Sequence, residues 1–273
     1  MSHNLYFFNK DKDNKTFGEH LDDFRKHLIR IIIAIVALST TAFIYKGIIF
    51  DKIIFAPKNP DFITYRILCF IGQKLHLPDI CIQNFNFSLI NIDIAGQFTT
   101  HIWVSFISGV VLSFPFIIWE LSRFIKPALY ENELKYVKVF ITFTSLLFFT
   151  GVIFGYYVIS PMAVNFLGTY QVSSQVTNTI NLDSYITMVT SSTFLTGVLF
   201  ELPLFSYILT KIGILTPHFM KKYRKHAVVV IIIVAAIITP STDFFTLMLV
   251  SVPLYLLYEV SIVISAKIVK VRD

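Results

Sequence analysis

The chain has 273 residues, of which 55% are hydrophobic and 15% are charged, and its formal net charge is +6. Its mean hydropathy is +0.69. A soluble fold of this length would have too few charges to cover so much apolar surface, so the composition excludes one or two soluble domains and predicts a single all-α polytopic membrane protein.

The chain begins with a polar segment, residues 1–27, which we interpret as a tail outside the membrane. No short apolar stretch with a small-residue cleavage site precedes it. We therefore expect that no signal peptide is removed and that the first apolar helix is an uncleaved anchor.

Uncharged runs of about 20 residues mark candidate membrane-spanning helices. The run after Val139 is too long for one crossing, and Gly155 and Pro161 predict a helix end near Ser160. The last apolar block would be about 60 Å long as one helix, so the turn residues TPSTD at 239–243 predict two short spans instead. We predict a transmembrane domain at residues 28–266 with six spans: 28–48, 99–119, 138–160, 184–210 (Asp183 as its N-cap), 227–241 and 244–265.

The distribution of Lys and Arg predicts the orientation of these spans. Six crossings place both termini on one side, and that side carries 18 of the 23 basic residues. The positive-inside rule then predicts that the N-tail and the C-tail, residues 267–273, are cytoplasmic. The basic balance therefore needs no nucleic acid to explain it.

The outer loop, residues 49–98, is the largest predicted extramembrane segment. Its stretch ITYRILCFIGQKLHL at 63–77 has apolar residues broadly on one helical face, which favours a helix at the outer surface or capping the bundle. Cys69 and Cys81 lie here, and they either form a disulfide or remain two separate buried thiols.

Sequence motifs of catalysis and metal binding are missing. The chain has no P-loop pattern, no His-x-x-x-His or Cys-x-x-Cys spacing and no Gly-x-Ser-x-Gly. His101 is interpreted as an interfacial side chain. We therefore expect no enzyme activity, no cofactor, no metal and no catalytic residue.

Three acids lie within predicted spans or directly at the end of one, and we expect them in the half nearer the basic side. They are Glu120, Glu201 and Glu259, with Glu201 the deepest at about 15 Å from Lys211 along the helix. A carboxylate at mid-helix costs about 2.5–3.5 kcal/mol to insert, and such residues usually face a protein interior or a wet cavity. The three acids either line a polar hollow or each pair with a polar group on a neighbouring helix.

Two polar segments flank the first two spans, EHLDDFRKHL at 19–28 and RFIKPALYENEL at 123–134. Their acids are either ordinary solvated charges or an acidic docking patch for a basic peptide, since a carboxylate binds an Arg guanidinium bidentately.

Five segments, in this order and spacing, resemble one known family. They are HLDDFRKHL at 20–28, SFPFIIWELSRFIKPALYENE at 113–133, FGYYVISPMAVNFL at 154–167, FELP at 200–203 and ITPSTDFF at 238–245. The chain resembles the TatC family, the receptor subunits of the twin-arginine protein translocase, over nearly its whole length.

The resemblance implies a cupped six-helix bundle in the bacterial cytoplasmic membrane that recognises S/T-R-R-x-F-L-K signal peptides on folded cargo. It implies recruitment of TatA/TatB-type single-span partners, an oligomer, and transport driven by proton-motive force. By motif position, signal-peptide contacts fall on Glu133, Asp23, Glu131, Phe124, Leu129, Tyr130 and Glu19. Glu201 matches an intramembrane Glu of the family, and the contact with partner proteins falls at Pro240 and Asp243.

Three positions depart from the family pattern. Asp23 stands where Glu is usual, which keeps the charge and shortens its reach. Glu120 stands where Gln is common and so adds a charge. Leu247 stands where Gln is common, which weakens transfer of the partner contact.

Two other functions compete with the receptor interpretation. A proton-coupled carrier of a small solute would use Glu201 as its titrating site, but no internal repeat is evident. An intramembrane protease would need a catalytic pair that the sequence lacks.

Overall fold

The computed structural model describes residues 17–74, 87–126, 137–173, 175, 178–239 and 244–272. Five helical stretches in this part are long and apolar enough to cross a membrane: 21–44, 96–125, 137–169, 182–212 and 246–269. The chain is thus an all-helical membrane protein apart from two three-residue strands. The prediction of an all-α membrane protein is confirmed at this level.

Helix α1 (Phe17–Ile44) packs along α3 (Gly96–Ile125) in an antiparallel pair. At one end Phe24 contacts Phe124, and at the other Phe43 stacks on His101 with ring centroids 3.8 Å apart. Midway the backbones approach closely at Gly109, where an added Cβ would lie 2.0 Å from Ser39 Oγ. Only glycine fits this crossing, because any side chain would push α1 away from α3.

The segment between α1 and α3 lies at one end of the bundle. A π-helical turn (Ile48–Ile54) and a 3₁₀ turn (Ala56–Lys58) lead into α2 (Ile63–Lys74), so a helix is present in the stretch predicted to form one. The Tyr65 side chain is buried, and its hydroxyl lies 2.8 Å from the Pro57 carbonyl and 2.9 Å from the Pro161 carbonyl. Tyr65 therefore fixes α2 to the membrane-spanning bundle.

The third span continues nine residues beyond the predicted end near Ser160. It consists of α4 (Val137–Phe154), a π-helical turn (Gly155–Ile159) and α5 (Ser160–Thr169). Pro161 lies in the first turn of α5, where backbone N–H groups have no acceptor within the helix, so its missing N–H costs no hydrogen bond. The carbonyl of Tyr157, four residues earlier, accepts instead from the Thr64 hydroxyl. The prediction failed because the proline sits at a helix start within the span.

Two short strands, β1 (Ser88–Ile90) and β2 (Thr179–Asn181), pair in parallel. They join the segment before α3 to the segment before α6, at the same end of the bundle as α2. Both strands lie in segments predicted to be loops.

The fourth span is broken at Glu201 into α6 (Leu182–Phe200) and α7 (Leu202–Ile212). Pro203 is in the first turn of α7, and a proline cannot donate the hydrogen bond that a continuous helix would need there. The N-cap of α6 is Asn181, whose side chain accepts from the backbone N–H of Asp183. The prediction of Asp183 as the cap is wrong, because Asp183 lies in the first turn. Gly213 ends α7 in the left-handed conformation, with φ 87°.

The last part of the chain contains α8 (Pro217–Lys222), α9 (Arg224–Ile238) and α10 (Phe244–Arg272). Helix α10 packs on α7 and α9. Helix α9 has 15 residues, about 22 Å, which is shorter than the hydrocarbon core of about 30 Å. It is therefore absent from the five stretches long enough to span.

Contacts between the helices define two ends of the bundle. The Phe24–Phe124 pair and the Thr210–Ser265 hydrogen bond lie near helix ends where most Lys and Arg residues of the helices and loops are found. We call this the basic end: it contains the starts of α1 and α4 and the ends of α3, α7 and α10. The other end, with α2 and the two strands, is called the outer end.

Two buried apolar clusters hold the bundle together. One lies towards the outer end and consists of Ile54, Phe87, Val104, Val164, Tyr185, Ile186 and Val189. The other joins the third span to α9 and α10 and consists of Ile159, Ile231, Ala235, Val250 and Leu254. Burial of such side chains stabilises each by about 1.5–3 kcal/mol.

Candidate functional site

The first turns of α1 and the last turn of α3 bring two predicted signal-peptide residues to the basic end. Asp23 of α1 is half-buried and pairs with Lys26, with Oδ1 and Nζ 3.5 Å apart. Phe24 meets Phe124 of α3 edge to face, with ring centroids 5.4 Å apart. The Asp23 turn and the Phe124 turn therefore form one surface, which we call the α1–α3 corner.

The other predicted signal-peptide residues are not all described by the structure. Glu19 lies in α1, and nothing is described of its side chain. Four more lie outside the described residues, as do both predicted partner-contact residues: Leu129, Tyr130, Glu131, Glu133, Pro240 and Asp243. Leu247, next to the partner-contact turn, lies in α10 and packs against the apolar cluster of Ile159.

Glu120 is fully buried, and it pairs with groups on a neighbouring helix. Its Oε1 accepts hydrogen bonds from Arg30 Nη1 and His27 Nδ1, both at 2.9 Å. Its Oε2 lies 3.7 Å from Arg123 Nη1. Of the two interpretations offered for this acid, pairing across helices is the one the structure supports.

Glu259 of α10 is likewise paired. Arg224 Nη2, at the start of α9, donates to Glu259 Oε2 at 2.7 Å, and the Tyr255 hydroxyl donates to Oε1 at 3.0 Å. The Tyr258 hydroxyl donates to the Met220 carbonyl nearby. These contacts tie the end of α8 and the start of α9 to the middle of α10.

Glu201 differs from the other two acids. Its side chain is 4% exposed, and neither carboxylate oxygen has a hydrogen-bond partner among the described residues. It occupies the junction of α6 and α7, where its backbone N–H turns back to Val198. Burying an ionisable group without a partner is costly, so packing within the fold does not explain a glutamate at this position.

The face of α4 beside Glu201 contains another unpartnered polar atom. Phe148 of α4 lies against Gly197 of α6, and the two helices run antiparallel. Thr144 lies one turn from Phe148 on the same face of α4, towards the basic end. Thr144 is fully buried and its hydroxyl has no hydrogen-bond partner among the described residues. Glu120 and Glu201 are thus buried within the chain and do not line an open polar hollow.

At the outer end, the His101 ring lies between Phe43 and Phe50, and its Nε2 is 3.1 Å from the Phe43 carbonyl oxygen. This packing agrees with an interfacial role. Cys69 is disulfide-bonded, whereas Cys81 lies outside the described residues, so pairing between the two stays a prediction. Among the described residues, no cluster of three His, Cys, Asp or Glu could hold a metal ion.

The cross-helix partners of Glu120 and Glu259 were missed by sequence reasoning. Arg123 follows Glu120 by three residues, a spacing that indicates a contact on one helix face. His27 and Arg30 lie 93 and 90 residues away from Glu120 in the chain, so no local pattern points to them.

Comparison with known proteins gives the same family for nearly the whole chain. Residues 19–253 match the family profile described as "Sec-independent protein translocase protein (TatC)". The TatC protein of Blattabacterium sp. subsp. Periplaneta americana (strain BPLAN) is 39% identical over 257 residues, covering 93% of this chain and 96% of that protein. The TatCy protein of Bacillus subtilis (strain 168) is 31% identical over 247 residues, covering 90% of this chain and 87% of that protein.

A solved structure is also similar. The crystal structure of a protein described as a twin-arginine translocase receptor, TatC, aligns with a TM-score of 0.65 at 30% identity. The alignment covers 91% of this chain and 98% of that chain. The similarity therefore extends to the arrangement of the helices.

Proposed function

The chain belongs to the TatC family of Sec-independent protein translocase proteins, and we propose that it is the receptor subunit that binds twin-arginine signal peptides of folded cargo. It is a transport protein and not an enzyme. In this role it recruits single-span partners of the TatA/TatB type, and export is driven by proton-motive force.

The observation that carries this proposal is the α1–α3 corner. Asp23 and Phe124 come from segments 101 residues apart and stand together through the Phe24–Phe124 contact, at positions that match the family's recognition motifs. A carboxylate accepts two parallel hydrogen bonds from a guanidinium, whereas an ammonium offers only a point charge. Asp23 and Glu133 would each take one arginine of the signal, with apolar signal residues lying along the bundle.

The basic end would face the cytoplasm, where signal peptides are met. The excess of Lys and Arg at this end supports that orientation through the positive-inside rule. In the proposed topology α9 is the fifth of six spans, the helices form a cupped bundle and both termini are cytoplasmic. A helix of 15 residues can cross where the bilayer thins locally.

Glu201 would serve partners or cargo inside the membrane. Its buried carboxylate has no hydrogen-bond partner among the described residues, so a polar group on another protein could supply one. The same observation is what favours the alternative, a proton-coupled carrier of a small solute with Glu201 as the titrating site. The two functions differ in which acid they require.

Photocrosslinking tests the proposal. A photoreactive residue in place of Leu21 or Ile125, both exposed beside the corner, should crosslink to a peptide with the Arg-Arg pair and not to its Lys-Lys version. The same residue in place of Ile92, exposed at the outer end, should give no crosslink and serves as the control. Glu133→Ala should abolish the crosslinks.

The carrier function predicts a different outcome. Under it, Glu133→Ala leaves peptide crosslinking unchanged, and Glu201→Ala abolishes solute uptake into proteoliposomes. That pair of results would reject the receptor function.

A further inference from the structure

Glu120 links the two helices that form the α1–α3 corner. Its carboxylate is fully buried, and its Oε1 accepts from both His27 and Arg30 of α1 at 2.9 Å. A third basic side chain, Arg123, lies on the same helix as Glu120, with its Nη1 3.7 Å from Glu120 Oε2. We call these four residues the Glu120 cluster.

The cluster fixes the rotation of α1 against α3. Both α1 partners meet the same oxygen atom, so neither a slide nor a turn of α1 can keep the two bonds. A buried carboxylate is stable only while its charge is paired and hydrogen-bonded, so losing these bonds is disfavoured. The geometry of the pair is thus restrained at this level.

The restrained level is one helical turn from the proposed binding residues. His27 follows Asp23 by four residues and Phe124 follows Glu120 by four, so each pair shares a helix face. The His27 ring also meets the Phe124 ring edge to face, with centroids 5.9 Å apart. His27 therefore contacts both the buried acid and a residue of the corner.

The cluster also sets the local charge. Arg30 is half exposed, and an unpaired arginine beside the corner would repel the two arginines of a signal peptide. Glu120 compensates that charge through a direct ion pair. A neutral residue at this position would leave the Arg30 charge uncompensated.

We propose that Glu120 is a positioning residue for signal-peptide binding, which holds Asp23 and Phe124 together and compensates the charge of Arg30. This inference rests on the proposed receptor function. Glu120 itself touches no peptide in this scheme. Its effect is transmitted through His27, Arg30 and Phe124.

Peptide affinity in nanodiscs provides the first test. Glu120→Ala should raise the Kd of a fluorescent twin-arginine peptide about tenfold, within the range expected for coupled neighbours. Glu120→Gln keeps an acceptor for Arg30 but leaves the Arg30 charge uncompensated, so it should bring the Kd only part of the way back. Glu259→Ala is the matched control, because it removes another interhelical ion pair at the same end, with N···O of 2.7 Å, and should leave the Kd unchanged.

The distance between the two helices provides a readout that a general loss of stability would not reproduce. Spin labels on Leu21→Cys and Ile125→Cys, both exposed, report the separation of α1 and α3 at the corner. The distance distribution should be narrow in the parent protein, broad with Glu120→Ala and narrow again with Glu120→Gln. If Glu120→Ala does not fold, Arg30→Gln, which keeps the His27 bond, should give a smaller broadening and a smaller rise in Kd.

The inference is overturned if Glu120→Ala, or Arg30→Gln in its place, leaves both the Kd and the distance distribution unchanged. Equal losses of affinity in Glu120→Ala and Glu259→Ala also overturn it, since the effect would then be general destabilisation. A parent protein that binds Lys-Lys and Arg-Arg peptides equally would instead reject the receptor function. The distance distribution would still decide whether Glu120 positions the helices.

Discussion

Glu201, Glu120 and Glu259 are chemically identical side chains in apolar helices, but they differ in what surrounds them. Glu120 accepts from one histidine and one arginine, and Glu259 accepts from one arginine and one tyrosine. Glu201 is just as inaccessible, and its carboxylate has no hydrogen-bond partner in the described part of the chain. Burial of a carboxylate without a partner lowers the stability of the fold, and an interaction with a polar group of another protein would offset that cost.

This difference predicts opposite effects of one substitution at two positions. Glu201→Met, similar in size and apolar, should raise the free energy of unfolding of the purified protein by about 1–3 kcal/mol. Glu259→Met is the control and should lower it, because Arg224 loses its partner. Thermal unfolding in detergent measures both. A Glu201→Met protein that melts below the parent would show that the carboxylate has a stabilising partner, contrary to this account.

Sequence reasoning identified all three acids but could not assign their partners. The position of a charge in an apolar run is visible locally, whereas its partner depends on how each helix is rotated about its axis. Arg30 and His27 meet Glu120 only because α1 and α3 cross at Gly109 with this particular rotation. That rotation is set by packing along the whole helix pair.

At the scale of elements, apolar runs predicted where the long helices lie, but not where these helices end or are interrupted. Hydropathy predicted the third span, but the predicted end near Ser160 was wrong. Pro161 does not end the span, because the Thr64 hydroxyl donates to the Tyr157 carbonyl that the proline leaves without an N–H partner. The two π-helical turns were not predicted, since they depend on tertiary contacts. The break at Glu201 was not predicted either, although Pro203 is a local signal for it. The short strands pair segments 91 residues apart and leave little local signal.

Tyr65 connects α2 to the 3₁₀ turn that contains Pro57 and to α5, and its burial predicts how stability depends on pH. Its hydroxyl donates to the carbonyl oxygens of Pro57 and Pro161. Tyr65→Phe removes this donor and should therefore lower the free energy of unfolding by about 1–3 kcal/mol at neutral pH. Burial raises the pKa of the Tyr65 phenol in the folded protein. The unfolded chain releases this proton near pH 10, at about its ordinary pKa, while the folded chain keeps it.

Stability that depends on the Tyr65 proton is therefore present below pH 10 and is lost as the pH rises further. The difference in melting temperature between the parent and Tyr65→Phe should shrink as the pH is raised above about 10. Tyr45→Phe, at an exposed tyrosine, is the control and should match the parent at neutral pH. A gap that stays constant or widens with pH would contradict the assignment.

At the scale of the whole molecule, the charged groups are divided unequally between the two ends. The basic end contains the α1–α3 corner, the Glu120 cluster and the Arg224–Glu259 pair, while the outer end contains α2, the paired strands and aromatic packing. Composition alone predicted a membrane protein, and the count of Lys and Arg predicted which ends share a side. The packing of the helices against one another is not encoded in composition.

The most direct test of this account is a double-mutant cycle between the receptor's acids and the signal's arginines. The Kd of a twin-arginine peptide and of a peptide with one Arg→Gln change would be measured with the parent, Asp23→Asn and Glu133→Gln proteins. We predict coupling of about 1–2 kcal/mol for at least one acid–arginine pair, and none for Asp61→Asn at the outer end. Purely additive effects at both Asp23 and Glu133 would contradict the claim that these acids bind the paired arginines.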